Sequence, residues 1–407
     1  METVTQINLP EKICAVIKRL ADPGYHGYAV GGCVRDMLMG KEPHDFDITT
    51  DAFPSETSES FPDCPIILTG LKHGTVTVVY EGENIEITTF RTDGEYLDNR
   101  HPESVTFVRN IVEDLSRRDF TVNAMAYNPE EGLVDLFKGK DDIARKIIRC
   151  VGDADTRFNE DGLRILRAMR FASVLGFKVE EKTAESVVKN KKLLKNISVE
   201  RIYSEFTKLI SGDNAVSILE QFYEVLSELF GEIPAENIEC LDYCPKEHTV
   251  RYAALFAHMG EETAGKTIRA LKTDNDTCRL VKKLVGSLAW EMPKFGSERF
   301  EKEVAHLLAE NSFDDFAKII SLRRAFEELR GEPADNSEKL LETAKKLVEG
   351  KACLSIKSLD VSGKELAKAG IPQSAEMGRI LKELMRLVIE GEVENRCDAL
   401  IERAKIL

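Results

Sequence analysis

The chain has 407 residues, 43% of them hydrophobic and 31% charged, which is ordinary for a folded globular protein and, by length, points to about two to four domains. Fifty-six basic residues against 71 acidic ones leave a net charge of −15, which excludes a uniformly basic coat for nucleic acid. Nine scattered cysteines exclude a disulfide framework, and no apolar run approaches the roughly 18 residues of a membrane span, so reduced thiols in a cytoplasmic protein are expected.

Met1 to Pro10 lacks a basic start followed by an apolar stretch, so no secretory leader is expected. Tyr28-Ala29-Val30 reads as a short strand that ends in Gly31 and Gly32, Val34 to Met39 as a helix, and Asp45 to Thr49 as a second strand. Two aspartates at i and i+2 on an extended segment face the same way, so Asp45 and Asp47 bring four carboxylate oxygens to one or two hard divalent cations. Alone, such a pair is more often a solvated turn. The glycines would let the backbone approach a triphosphate, with the amides at the helix start adding partial positive charge and Arg35 a charge-assisted contact. Residues 74–80 and 84–90 form a hairpin around Glu81-Gly82-Glu83, and Glu86, alternating with Ile85 and Ile87, faces away from the core as a third candidate metal ligand or an exposed strand glutamate. The polar run from Asp93 to Pro102 is expected to be a mobile active-site element.

Arg117-Arg118-Asp119 with Asn123, if helical, sets Asp119 and Asn123 on one face beside Arg118, where a carboxylate and an amide hold ribose hydroxyls and a guanidinium holds phosphate. The same run also reads as a capped core helix. Beyond Asp141 the strand signals nearly vanish and amphipathic helices take over, among them Asn159 to Leu175, Val199 to Ser211 and Ser374 to Glu390. Asp161 and Arg164 fall three apart on the first of these, neighbours that form either a surface ion pair or a flat acceptor–donor edge. Such an edge matches C and A, which pair an exocyclic amine with a ring-nitrogen acceptor, and rejects U and G. Arg167 and Arg170 continue a basic stripe that includes Arg145, Lys146, Arg149, Arg157, Lys189, Lys191, Lys192 and Lys195; it reads as a nucleic-acid groove or as salt-bridged helices.

Taken in order, Gly31-Gly32-x-Val34-Arg35-Asp36, Asp45-x-Asp47, Arg117-Arg118-Asp119-x3-Asn123-Ala124 and Glu160-Asp161-x2-Arg164-x2-Arg167-Ala168-x-Arg170-Phe171 resemble the class II tRNA nucleotidyltransferase and bacterial poly(A) polymerase family. The segment with Gly363-Lys364-x-Leu366, Gly370-Ile371-Pro372, Gly378-x2-Leu381 and Asn395 looks like the tail of its bacterial CCA-adding members. The resemblance implies an α/β head of the polymerase-β-like nucleotidyltransferase fold over 1–148, followed by an all-α neck (149–210), body (211–330) and tRNA-binding tail (331–407). It implies Mg²⁺ on Asp45 and Asp47, nucleotide contacts from Gly32, Arg35, Arg118, Asp119, Asn123, Arg167 and Arg170, and a protein template for base choice in Asp161 and Arg164. Asp135, Gly139 and Asp141 match a hinge between head and neck. The implied reaction is template-independent addition of CCA to the tRNA 3′ end from CTP and ATP, with no membrane and no obligatory protein partner. CC-adding, A-adding and poly(A) polymerase activities are the alternatives within the family, and a non-catalytic RNA-binding protein the alternative outside it.

Overall fold

The computed structural model describes residues 7–94, 105–372 and 376–407. The chain divides into two compact units, Met1–Glu232 and Ile233–Leu407. In the first, α1 (Glu11–Ala21), β1 (Gly27–Val30), α2 (Gly32–Leu38), β2 (Asp47–Thr50), α3 (Pro54–Glu59), β3 (Ile66–Ile67), β4 (Thr75–Tyr80) and β5 (Glu83–Thr89) follow in order. Then come β6 (Arg91–Asp93), β7 (Val105–Phe107), α4 (Ile111–Ser116), a 3₁₀ turn at Thr121–Asn123, β8 (Ala126–Asn128), β9 (Gly132–Val134), α5 (Gly139–Arg145) and β10 (Ile147–Ile148). After them α6 (Ala154–Glu160), α7 (Leu163–Leu175), β11 (Lys178–Val179), α8 (Glu181–Lys189) and α9 (Val199–Ile210) carry the chain into helix, and two further helices close the unit.

Seven strands make one sheet in the order β3-β4-β5-β2-β1-β8-β9. All neighbours run antiparallel except β2 and β5, which pair in parallel with Asp47 opposite Glu86 and Ile48 opposite Ile87. The hairpin β4–β5 turns on Glu81 and Gly82, both at positive φ (50° and 81°), the backbone that a two-residue turn between twisted strands demands. Val76, Val78, Ile85 and Ile87 point inward and meet Ile13, Val16, Ile17 and Leu20, spaced along one face of α1, to form the head's core. Glu86 is therefore left on the solvent side of β5. The strands β6 and β7 pair separately. Of the polar run 93–102, Asp93 ends β6 and Gly94 follows; the remainder lies outside the described residues.

The expected helix from Asn159 to Leu175 is two. It breaks at Asp161, whose φ of −137° and ψ of 104° are extended, and restarts at Leu163. Asp-Gly favours a turn over a continuous helix. Asp45 precedes β2 rather than lying in it. The run 117–126 is not an α-helix but a bend, the 3₁₀ turn and the start of β8. Among the described residues Ile233–Leu407 contains helices and no strand, and its last part packs Leu359, Val361, Leu366, Leu384 and Leu400 into a core of its own. No helix among the described residues is long and apolar enough to cross a membrane.

Candidate active site

Asp45 and Asp47 stand exposed at the entry to β2, with exposed Glu86 beside Asp47 on the neighbouring strand. Partial desolvation at the strand entry raises the Asp47 pKa, Asp45 and Glu86 raise it further, and Arg118 alone pulls it back. Three carboxylates crowded in this way repel one another and favour a cation. Among the described residues no three of His, Cys, Asp and Glu form a metal-ligand cluster, so Glu86 is not brought into a closed ligand set with the aspartates. Two carboxylates nonetheless fit Mg²⁺, which commonly takes one or two from the protein and completes its shell with water and substrate phosphate.

Next to this acidic edge lies the glycine turn. Gly31 has a φ of +81° and accepts no side chain without strain; a Cβ there would sit 3.3 Å from Arg118 Nη1. Gly31 N–H donates to the Met125 carbonyl, and Gly32 begins α2, which turns Arg35 back into the protein. Arg35 is 8% exposed: Nη1 donates to Asn123 Oδ1 (2.7 Å) and Nε to Asp36 Oδ1 (2.9 Å). Asn123 in turn donates to Asp119 Oδ1 (3.3 Å), so the two meet as expected, although through the 3₁₀ turn and not through a helix face. Gly139 braces that turn: a Cβ on it would fall 2.3 Å from the Thr121 carbonyl oxygen. Asp135 accepts from the Gly139 and Lys140 amides and holds the start of α5.

Asp119 is the centre of an arginine network. Its Oδ2 accepts from Arg167 Nε (2.8 Å) and Nη2 (2.6 Å). Although burial pushes its pKa up, Arg167 and Arg164 beside it bring it down to about 2. Arg170 lies 2.7 Å from Glu205, whose carboxylate on α9 also approaches Arg167 at 3.9 Å. The guanidinia of Arg35, Arg167 and Arg170 surround the Phe171 ring at 5.2, 5.3 and 4.0 Å from its centre. Among the described residues, Nε of Arg118, Nε of Arg157 and Nη1 of Arg201 are buried donors without a hydrogen bond, whereas Nε of Arg170 and Oε2 of Glu205 face each other in their ion pair. Buried donors left without an acceptor are uncommon and mark a place where a partner from outside the protein is expected.

Asp161 and Arg164 do not bond to each other through their side chains. Asp161 Oδ1 caps the Leu163 amide (3.0 Å) and Oδ2 accepts from Arg201 Nη2 (2.8 Å). Arg164 donates to Glu160 (2.6 Å), to the Arg157 carbonyl (3.2 Å) and to the Arg117 carbonyl (3.0 Å). Each group is thus fixed by a separate partner. The helix break, not helical spacing, sets where Asp161 stands. The basic stripe proves to be largely compensated: Arg149 meets Asp142 and Glu180, Arg157 meets Glu160, Lys189 meets Asp155, Lys191 meets Glu224 and Lys195 meets Glu228. Uncompensated guanidinia so closely spaced would repel one another, so the fold intersperses carboxylates.

Sequence reasoning missed Asp114, Arg201 and Glu205, and it read Glu160 and Phe171 as parts of a motif without giving either a role. The only signal for Glu205 was a charge on the apolar face of α9 between Ile202 and Phe206, an anomaly that a hydrophobic-period reading can flag.

Residues 27–149 match the poly A polymerase head domain, 176–228 the probable RNA and SrmB-binding site of polymerase A, and 244–404 a tRNA nucleotidyltransferase domain 2. The chain is 37% identical to a CCA-adding enzyme of Lactobacillus delbrueckii subsp. bulgaricus over 395 residues, 95% of each chain. It is 37% identical to that of Lactobacillus helveticus, with 96% of this chain and 95% of the relative covered. Among solved structures it resembles the Bacillus stearothermophilus CCA-adding enzyme in complex with CTP, with a TM-score of 0.82 and 32% identity over 97% of this chain and 96% of that one. The Thermotoga maritima CCA-adding enzyme complexed with tRNA shares the fold at 20% identity, with a TM-score of 0.67 over 98% and 96% of the two chains.

Proposed function

The chain belongs to the CCA-adding tRNA nucleotidyltransferase family, and from that premise we propose that it adds C, C and A to the 3′ end of tRNA, using CTP and ATP, in the cytoplasm. The 3′ oxygen of the tRNA attacks the α-phosphorus of the nucleotide, the bond to the β-phosphate oxygen breaks, and pyrophosphate leaves. Asp45 and Asp47 would hold Mg²⁺, which would supply a positive charge that favours ionisation of the attacking hydroxyl and offsets the charge of the phosphates. The backbone at Gly31 and Gly32 lets the triphosphate approach, Arg118 offers it the Nη1 end of the guanidinium that faces Gly31, and Arg35, Arg167 and Arg170 add positive charge. Asp119 and Asn123 keep these arginines in place and approach the ribose. Asp161 accepts from the exocyclic amine of C or A while Arg164 donates to the ring nitrogen, so no nucleic-acid template is needed. The neck carries this pair, and the body and tail hold the tRNA.

The observation that carries the reading is the exposed Asp45–Asp47 pair, crowded by Glu86 and faced by the charge of Arg118. The test is to incubate the purified protein with Mg²⁺, CTP, ATP and tRNA lacking its 3′ end, and to sequence the products. Ends reading CCA are expected. Ends that stop at CC, addition of A only to tRNA already ending in CC, or a long A tract would instead identify a CC-adding enzyme, an A-adding enzyme or a poly(A) polymerase. Tight tRNA binding without any addition would indicate a non-catalytic binder.

A further inference from the structure

Behind the glycine turn stands a carboxylate with no solvent exposure. Asp114, on α4, is 0% exposed, and its Oδ1 accepts from Arg117 Nη2 (2.7 Å) and Nε (3.1 Å) while its Oδ2 accepts from Arg118 Nη2 (3.1 Å). Burial pushes its pKa up, but Arg118 and Arg117 hold it below the ordinary carboxylate range. Its remaining edges approach Thr49 Oγ1, two residues beyond Asp47 on β2, and the Arg91 amide that opens β6, each at 3.4 Å.

The consequence for Arg118 is geometric. One end of its guanidinium is tied to Asp114, the other lies against Gly31, and Nε between them is buried without an acceptor. A free arginine side chain has several rotatable bonds to order before it can grip a phosphate. One tied to a buried carboxylate has already lost that freedom. Asp114 itself, enclosed on α4, cannot touch a nucleotide.

We infer that Asp114 is a positioning residue for nucleotide binding: it holds Arg118 over the Gly31–Gly32 turn with its remaining donors directed at the triphosphate. The inference rests on the reading of Arg118 as a nucleotide contact. A purely structural Asp114 would set stability alone; a positioning one sets the KM for nucleotide through Arg118.

The experiment is a double-mutant cycle in the full chain, with Asp114→Asn, Arg118→Ala and the pair, measuring the KM for CTP and ATP, the KM for tRNA and the melting temperature. Asp114→Asn is expected to raise both nucleotide KM values about tenfold, the scale of losing a group that supports a ligand contact, with the tRNA KM unchanged. In the Arg118→Ala background the same change is expected to alter nucleotide KM by less than about twofold, the mark of two residues acting as one. A fall in melting temperature with nucleotide KM unchanged would overturn the inference, as would an equal effect in both backgrounds. If Arg118→Ala alone leaves nucleotide KM unchanged, the reading of Arg118 fails, and the inference about Asp114 fails with it. Asp114→Glu, which keeps the charge and displaces it by one methylene, is measured alongside; should the asparagine variant not fold, the same comparisons on the glutamate variant decide the matter.

Discussion

Asp45, Asp47 and Glu86 stand exposed with no hydrogen bond or ion pair from their carboxylates to any described residue, whereas Asp119, 8% exposed, is gripped by Arg167 and Asn123. The first group is electrostatically poor within the protein alone and gains when a cation arrives. The second is complete before any ligand binds. Charges that must react with something from outside are left unsatisfied, and charges that must hold a shape are neutralised internally.

The largest expected effect separates the two regions by sign. Asp47→Asn should abolish nucleotidyl transfer while raising the melting temperature, because a folded-state pKa above the usual value means that ionised Asp47 costs stability at neutral pH. Mg²⁺ should raise the melting temperature of the parent protein and not of this variant, as binding to the folded state alone requires. A lower melting temperature for Asp47→Asn would break the comparison. Asp119→Asn should do the opposite and destabilise, by about 3–5 kcal/mol on the scale of a broken buried pair, as read by denaturant unfolding. With a folded pKa of about 2, the stability Asp119 provides is fully present above the ordinary carboxylate range and lost as pH falls through that value. Asp47 sheds its cost earlier in the same titration, as pH falls through its raised folded pKa toward the ordinary carboxylate value, before the Asp119 contribution begins to be lost.

Asp161→Ala should leave metal dependence intact and relax base choice, with UMP incorporation rising about 10- to 100-fold relative to CMP in single-turnover assays. Unchanged base preference would remove Asp161 from the template. The smallest expected effect sharpens the meaning of a low pKa. Glu342, exposed on the helix Asp335–Glu349, is also brought down to about 2, by hydrogen bonds from Lys339 and Lys346. In 1 M salt the Glu342 value should return toward normal while that of Asp119 stays low, because screening reaches the surface pair and not the buried one. NMR titration of the two carboxyls at low and high salt measures this.

Much of the head was legible because its physics is local. Alternation places Ile85 and Ile87 inward and Glu86 outward, Glu81-Gly82 marks the turn, and the glycines after Val30 mark the close approach at Gly31. Asp114 was not legible: in Ile111–Ser116 an acidic residue near a helix start looks like ordinary solvated capping, and only the tertiary arrival of Arg117, Arg118 and β2 buries it. Glu205 was hidden for the same reason, since its partners lie on α7. The break at Asp161-Gly162 was readable in principle. The helical period on either side outweighed a turn-forming pair, and the outcome shows which signal was stronger.

The parallel pairing of β2 with β5 has a bearing on how the enzyme is made. A hairpin brings its strands together within microseconds of the turn closing, but these two strands are joined through residues 51–82, which contain α3, β3 and β4. No turn sets their register. It is set by Ile48 and Ile87 entering the same core, and a slip of one residue would send Asp47 and Glu86 to opposite faces. The carboxylates therefore meet only in a chain whose distant parts have already found one another. A partly folded head, however rich in hairpin and helix, has not yet brought Asp47 and Glu86 side by side.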